Sequence, residues 1–210
     1  NYMALVKYNN NSISAVTSTG LATGSLVPIK TLTASSSATL SFVHGTDGVV
    51  LDSTYPIYKF EFINIHPAND GSRFYFQGST NSGSSYGITI TSTFFKAIHN
   101  EADSVTALSY DGFNDLAQST SYQQLNLDSD LGADNDQSLS GELTLYNPSS
   151  TTFVKHFMGT TNFNHAADYT INCFIGGYFN NTNAINAFQF KMASGNIDSG
   201  KIKLYGIKDS

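Results

Sequence analysis

The sequence predicts an all-β protein: an antiparallel, jelly-roll-like β-sandwich with an extended N-terminal arm. The first observation is an alternation of apolar and polar residues, as in Tyr58-Lys59-Phe60-Glu61-Phe62, which recurs almost to the last residue. Successive side chains of a strand point to opposite faces, so this period indicates strands with one buried and one solvated face. The second observation is that no long segment has a helical period. The third is that Gly, Asn, Asp and Ser clusters separate the alternating segments, as turns do in sandwiches.

The N-terminal segment differs in composition from the rest of the chain. Residues 7 to about 37 are rich in Asn, Ser, Thr and Gly, and their isolated apolar residues are too sparse to build a core. We therefore divide the chain into an extended arm, residues 1–37, and a single sandwich domain, residues 38–210. The arm is expected to become ordered against its own sandwich or against a neighbouring subunit.

The first half of the domain predicts several strands. They are placed at 38–42, 49–51, 57–66, 73–77, 86–91 and 93–98. Within residues 57–66, Tyr58, Phe60 and Phe62 share one face, whereas Ile63 and Ile65 fall on the other. This change of face predicts either a β-bulge or a strand whose far end is buried on both sides.

The second half begins with an irregular segment, residues 99–137, in which a single helical turn is predicted between Phe113 and Leu125. Strands then follow at 142–146, 153–158, 171–175, 187–192 and 201–207. Gly and Asp between residues 193 and 200 predict a hairpin that joins the last two of these strands.

The charge pattern excludes two classes of partner. Only 12% of the residues are charged, about half of the usual share. The net charge is −6, Arg73 is the single arginine, and the ten basic residues do not cluster. A nucleic-acid interface needs a Lys/Arg stripe, and so does binding to an anionic bilayer. We expect neither nucleic acid nor a membrane as a partner.

No catalytic motif occurs in the sequence. There is no H-E-x-x-H, no G-x-S-x-G and no phosphate-binding loop. The single cysteine, Cys173, shares a predicted face with Ile171 and Ile175, which favours a small buried apolar residue over a reactive thiol. The three glutamates are Glu61, Glu101 and Glu142, and the first and last lie on predicted solvated faces. We therefore expect no enzyme, no catalytic residues and no cofactor.

Metal binding has two candidates in the sequence. None of the five histidines, His44, His66, His99, His156 and His165, forms a helical zinc pair. His165 and Asp168 offer two ligands, but a loop histidine bonded to its own turn is favoured. The segment Asp128–Asp136 holds four carboxylates, as a calcium site would, but Leu139 stands where an EF-hand has its bidentate Glu. A solvated acidic loop is favoured, and no metal is predicted.

Four tyrosines fall on predicted outer faces or in turns: Tyr75, Tyr86, Tyr110 and Tyr122. Aromatic side chains with Asn and Asp neighbours form sugar-stacking platforms, and they are equally common at subunit interfaces. The subunit interface is the favoured interpretation.

Three segments resemble proteins of a known group. Met3–Ile13 is similar to the opening of small structural proteins of tailed bacteriophages, especially those of marine and cyanobacterial hosts. Tyr55–Pro67, with the following Phe74-Tyr75-Phe76, resembles a strand common in that group. Ser199–Lys208 resembles the terminal strand of phage tail and fibre β-sandwiches. The resemblance implies a virion component without catalysis, which decorates the capsid or belongs to the tail or a fibre.

The leading hypothesis is a non-enzymatic phage structural protein, located in the virion, that assembles through its sandwich faces and its N-terminal arm. Its expected partners are copies of itself and other virion proteins. The alternative is a carbohydrate- or receptor-binding sandwich whose partner is a host-surface glycan, and it predicts a shallow groove lined with aromatic residues. A glycan depolymerase is the third hypothesis, and it requires carboxylates that converge from distant loops.

Overall fold

The computed structural model describes residues 25–128 and 130–209, which fold into two packed antiparallel β-sheets. This confirms the predicted all-β sandwich, whereas the jelly-roll connectivity stays a prediction. None of the described residues is helical. The described part of the chain accordingly has no helix long and apolar enough to cross a membrane.

Twelve strands make up the two sheets. In chain order they are β1 (Leu26–Thr33), β2 (Leu40–Val43), β3 (Ile57–Pro67), β4 (Phe74–Ser79), β5 (Ile90–Asn100), β6 (Thr106–Tyr110), β7 (Gln123–Gln124), β8 (Leu139–Tyr146), β9 (Lys155–His165), β10 (Tyr169–Phe179), β11 (Ala187–Met192) and β12 (Ile197–Ile207). The larger sheet has eight strands in the order β1-β12-β3-β8-β9-β10-β5-β6. The smaller sheet has four, in the order β2-β11-β4-β7.

The core between the sheets is built largely from phenylalanine. The inward residues of β3, Tyr58, Phe60 and Phe62, are almost fully buried, as their alternation predicts. Phe190 of β11 lies at the centre of this core. Its ring centroid is between 5.0 and 6.4 Å from those of five other phenylalanines: Phe42, Phe60, Phe62, Phe74 and Phe76. Most of these pairs meet edge to face, the arrangement that the aromatic quadrupole favours.

Part of the predicted arm belongs to the sandwich. Residues 26–33 form the edge strand β1, which pairs with β12 from Leu26 opposite Ile207 to Thr33 opposite Lys201. This part of the arm is thus ordered against its own sandwich, which is one of the two arrangements expected for the arm. An edge strand is held by backbone hydrogen bonds to one neighbour and buries only a few side chains, here Ile29 and Leu32, so its apolar pattern is weak. The predicted arm residues 1–24 lie outside the described residues, together with the resembling segment Met3–Ile13.

Several local predictions differ from the structure: the predicted irregular segment 99–137 contains β6 and β7, and the strands predicted at 86–91 and 93–98 are replaced by the single strand β5. Residues between Phe113 and Leu125 form turns, bends and the short strand β7, with no helical turn. Val49–Leu51 is a largely buried loop rather than a strand. The predicted hairpin at 193–200 is also wrong, because β11 belongs to the smaller sheet and β12 to the larger one. The segment between β11 and β12 therefore crosses from the smaller sheet to the larger one. Turn residues indicate where the chain reverses, but not whether the next strand joins the same sheet.

The change of face in residues 57–66 is a β-bulge. The pairing of β3 with β8 shifts register between Phe62 and Ile65, and the pairing with β12 shifts on either side of Ser199. Asn64 within the bulge has a φ of 49°. This confirms the first of the two interpretations that the sequence allows, since an inserted residue moves the following side chains to the other face.

Candidate functional site

A cleft of about 390 Å³ lies on the outer face of the four-stranded sheet, at its β7 edge. We call it the tyrosine cleft. The residues that line it are Arg73, Tyr75, Phe113, Asn114, Asp115, Leu116, Ser121, Tyr122, Gln124 and Asp128. The sheet supplies its floor, and the irregular segment between β6 and β7 supplies its wall.

The floor is set by strand register. Tyr75 of β4 pairs with Gln124 of β7 and with Lys191 of β11, so the three side chains project from the same outer face. The ammonium of Lys191 lies 4.3 Å from the centroid of the Tyr122 ring, a cation–π geometry. The Tyr122 hydroxyl donates to Oε1 of Gln189 at 2.6 Å. The ring of Tyr122 is thus held on both its face and its hydroxyl end.

A second tyrosine, Tyr86, acts on this ring electrostatically. Burial raises the pKa of Tyr122, and the neighbouring phenol of Tyr86 raises it further. The Tyr122 hydroxyl therefore stays a hydrogen-bond donor at neutral and mildly alkaline pH.

The wall of the cleft is held by the carboxylate of Asp111. Its two oxygens accept hydrogen bonds from Lys96 Nζ at 2.7 Å, from Asn114 Nδ2 at 2.9 Å and from the backbone N–H of Phe113 at 3.0 Å. Burial by itself would raise the pKa of Asp111, but these donors outweigh it and hold the pKa below its ordinary value. With the turn fixed in this way, the ring of Phe113 projects into solvent and is 95% exposed.

Acidic, amide and basic side chains all face the cleft. Asp115 accepts a hydrogen bond from the hydroxyl of Tyr110, and Asp128 accepts one from Asn114 Nδ2 at 3.3 Å. The Nε of Arg73 is buried and has no hydrogen-bond partner among the residues described. The cleft thus combines carboxylate acceptors, amide groups and a guanidinium with three aromatic rings.

Two of the four tyrosines singled out in the sequence line this cleft. Tyr75 and Tyr122 line it, Tyr86 acts electrostatically on Tyr122, and Tyr110 bonds to Asp115 at its rim. Sequence reasoning missed Arg73, Phe113 and Asp115. The available signal was the long irregular segment 99–137, since loops of that length in a compact domain are often functional.

A second concave surface lies on the outer face of the eight-stranded sheet. This sheet groove of about 370 Å³ is lined by Phe95, Phe174, Met158, Tyr146 and Glu142, with Thr and Gly residues as its floor. The rings of Phe95 and Phe174 stack at a centroid distance of 4.8 Å and an interplanar angle of 11°, so each ring covers one face of the other. The groove is more apolar than the tyrosine cleft.

The glutamates lie where the sequence predicts. Glu61 and Glu142 are register partners on the outer face of β3 and β8. Lys59 Nζ lies 2.6 Å from Glu142 and 3.7 Å from Glu61, so one ammonium neutralises part of the charge of both. The hydrogen bond to Glu142 raises the pKa of Lys59. Glu101 lies in an exposed turn.

The carboxylates of the acidic segment Asp128–Asp136 do not share one environment. Asp128 faces the tyrosine cleft, whereas Asp130 lies 3.5 Å from Nε2 of His165. Burial raises the pKa of Asp130, and the nearby His165 opposes that shift. Across residues 25–128 and 130–209, no group of three or more His, Cys, Asp or Glu side chains is placed to hold a metal ion.

Two further sequence predictions about reactive residues are confirmed. The Nδ1 of His165 accepts the backbone N–H of Ala167 at 2.8 Å, so this histidine is bonded to its own turn. Cys173 is fully buried, and its burial raises the pKa of the thiol to about 12.

Comparison with protein-family models, with curated proteins and with solved structures finds no match to this chain.

Proposed function

We propose that this chain is a non-enzymatic recognition module whose tyrosine cleft binds carbohydrate. The observation that carries this proposal is that three aromatic residues, Tyr75, Phe113 and Tyr122, line one cleft together with carboxylate, amide and guanidinium groups. A pyranose ring has an apolar C–H face and a rim of hydroxyls. Aromatic rings pack against the first, and carboxylate, amide and guanidinium groups bond to the second.

The details of the cleft fit this chemistry. A volume of about 390 Å³ lies at the small end of ligand sites and accommodates one or two sugar rings. The hydroxyl of Tyr122 and the carboxylate of Asp111 are occupied by internal hydrogen bonds, which keep the floor and the wall in place without a ligand. A pre-formed site loses little conformational entropy on binding.

The test is a broad glycan array probed with the full chain, followed by calorimetry on the hits. Phe113→Ala is the informative variant, because a ring that is 95% exposed contributes little to folding. We expect it to weaken glycan binding by about tenfold at an unchanged melting temperature. Phe153→Ala removes a ring that is 69% exposed elsewhere and should leave the affinity unchanged. An array without hits, or equal effects of the two variants, contradicts the proposal.

The second candidate places the module in a tailed-phage virion as a structural protein of the capsid surface, tail or fibre. It is supported by the resemblance of three segments, by the low charge content and by the apolar sheet groove, in which Met158 is 61% exposed. A patch of this kind suits contact with other virion proteins or with further copies of the chain. Mass spectrometry of purified virions tests this setting, and the absence of the chain from them would exclude it.

The two candidates are compatible. A virion protein that binds a host-surface glycan has both properties, and neither assigns a catalytic role to any residue. Different experiments test them, since glycan affinity is measured on the isolated chain and the presence of the chain in virions is measured on the purified particle.

A further inference from the structure

The strand β6 is an exposed edge of the eight-stranded sheet. Its five side chains alternate between the two faces of the sheet, and all five residues are exposed. The four-stranded sheet therefore does not cover this end of the sandwich. Leu108 is 74% exposed and Tyr110 is 59% exposed. Among the described strands, β6 therefore has a neighbour, β5, on one side only.

The backbone groups that face outward follow from the pairing of β5 with β6. Asp111 N–H donates to the carbonyl of Phe94, and Asn100 N–H donates to the carbonyl of Val105. Hydrogen-bonded pairs alternate along an antiparallel ladder, so residues 105, 107, 109 and 111 direct their backbone groups to β5. Thr106, Leu108 and Tyr110 direct theirs away from β5, where no described residue receives them.

The opposite edge of the same sheet is protected. The edge strand β1 contains Pro28, which has no N–H, and Lys30, and its ladder is irregular between these two residues. Proline, lysine and irregular pairing are the features that keep edge strands from joining other chains. The strand β6 has none of them, since its sequence is Thr-Ala-Leu-Ser-Tyr.

We propose that β6 pairs with β6 of a second copy of this chain, antiparallel and about a two-fold axis at Leu108. In this register Leu108 faces Leu108 of the other copy, and Thr106 faces its Tyr110. The three outward residues of one copy and the three of the other then form six backbone hydrogen bonds in all. None of their outward N–H or carbonyl groups is left unpaired. The uncharged edge is complementary to itself, because an isologous contact requires the same surface on both copies.

The consequence is a continuous antiparallel sheet of sixteen strands. The axis is perpendicular to the sheet, so both four-stranded sheets lie on the same side of it. The two tyrosine clefts would be displayed together, which raises avidity for a surface that carries many copies of a ligand. The pairing itself does not rest on glycan binding, and it adds to the proposed self-assembly an interface other than the sandwich faces and the arm.

The test is site-specific disulfide formation in the full chain. Residues directly opposite in a hydrogen-bonded antiparallel pair have Cα atoms about 5.5 Å apart, within the range of a disulfide. Leu108→Cys should therefore give a covalent dimer under mild oxidation. Thr106→Cys should not, because the two copies of residue 106 are about 14 Å apart along the strands. The native Cys173 is buried and adds no background.

A second variant tests the interface without cross-linking. Leu108→Lys places two like charges opposite each other at the axis, and we expect it to raise the dimer dissociation constant by about tenfold in light scattering. Phe153→Lys makes the same kind of change at another exposed site and should leave the dimer intact. Glycan affinity per site should be the same for both variants, so a failure of the dimer is distinguishable from a failure of the cleft.

Each outcome either supports the proposal or overturns it. A dimer that Leu108→Lys weakens and Leu108→Cys traps supports the proposal. A full-length chain that remains monomeric at high concentration overturns it, as would a dimer that Leu108→Lys leaves intact. Equal cross-linking of Leu108→Cys and Thr106→Cys overturns the register. Occupation of the β6 edge by residues 1–24 would appear as a monomer in which Leu108→Cys does not cross-link although its thiol is alkylated, and it overturns the proposal as well.

Discussion

Asp111 is the residue that links folding to the tyrosine cleft. Its carboxylate joins β5, through Lys96, to the turn that carries Phe113 and Asn114. Burial of this carboxylate is offset by its donors, so its pKa is lowered in the folded protein. A lowered folded-state pKa means that the carboxylate stabilises the fold above its unfolded-state pKa, and that this contribution is lost as the pH falls through the folded value.

We expect Asp111→Asn to lower the free energy of unfolding at pH 7 by about 2 kcal/mol, because Lys96 loses its charged acceptor in a buried position. Urea unfolding measures this difference. It should shrink as the pH falls below 3.8, the ordinary Asp value, where the wild-type carboxylate becomes protonated. Asp103→Asn, at a side chain that is 92% exposed, is the control and should change stability by less than about 0.5 kcal/mol. A pH-independent difference would contradict the assigned role.

Cys173 should be chemically silent in the folded protein. With a thiol pKa of about 12, only about one molecule in ten thousand carries the thiolate at pH 8. We expect no alkylation by iodoacetamide under native conditions and complete alkylation in urea, as read by mass spectrometry. Rapid native labelling would show that the core opens at β10.

At the scale of elements, the bulge of β3 depends on a glycine of the neighbouring strand. Gly200 of β12 has a φ of +113°, a conformation that residues with a Cβ rarely adopt. A Cβ there would also meet the carbonyl oxygen of Asn64 and, at 2.8 Å, the Cα of Ile65. The register shifts of this strand pair therefore require a residue without a side chain at position 200.

We expect Gly200→Ala to destabilise the fold by about 2 kcal/mol, since backbone strain and a backbone clash add. Gly176→Ala in β10 is the matched control, because a Cβ there meets only Thr93 Oγ1 at an ordinary 3.7 Å. Thermal and urea unfolding of the two variants give the comparison. Equal stabilities would show that the bulge adapts to a side chain.

At the scale of the molecule, the two sheets are held together by an aromatic core with few charged groups. Phe190 contacts rings from both sheets, including Phe60 and Phe62 of β3 and Phe74 and Phe76 of β4. Its removal affects the packing of one sheet on the other, and not only one strand.

We expect Phe190→Ala to cost about 4 kcal/mol, through the lost transfer free energy and the cavity that remains. Phe153→Ala, which removes an exposed ring, should change stability by less than about 0.5 kcal/mol. Denaturant unfolding followed by tyrosine fluorescence measures both variants. A loss below about 1 kcal/mol for Phe190→Ala would mean that the neighbouring rings collapse into the space.

Along the strands that the sequence predicts, the sequence alone determined which residues are buried. Tyr58, Phe60 and Phe62, and likewise Cys173, face the core because side-chain alternation is a property of the extended backbone itself. The change of face at Ile63 and Ile65 was visible for the same reason, and the register shifts of the structure decided that it is a bulge. The exposed positions of Glu61 and Glu142 follow from the same alternation.

The tertiary structure decided which strands are neighbours. Strand order in turn decided which residues form the tyrosine cleft and which edge of the sheet is exposed. β1 belongs to the sandwich, and the chain crosses between the sheets after Met192. Tyr75, Phe113 and Tyr122, which come from segments distant in sequence, line one cleft. The exposed edge at β6 is likewise a result of strand order. Strand pairing is chosen by the packing and hydrogen bonding of the whole chain at once, because many pairings satisfy the same local alternation and only one of them closes this core.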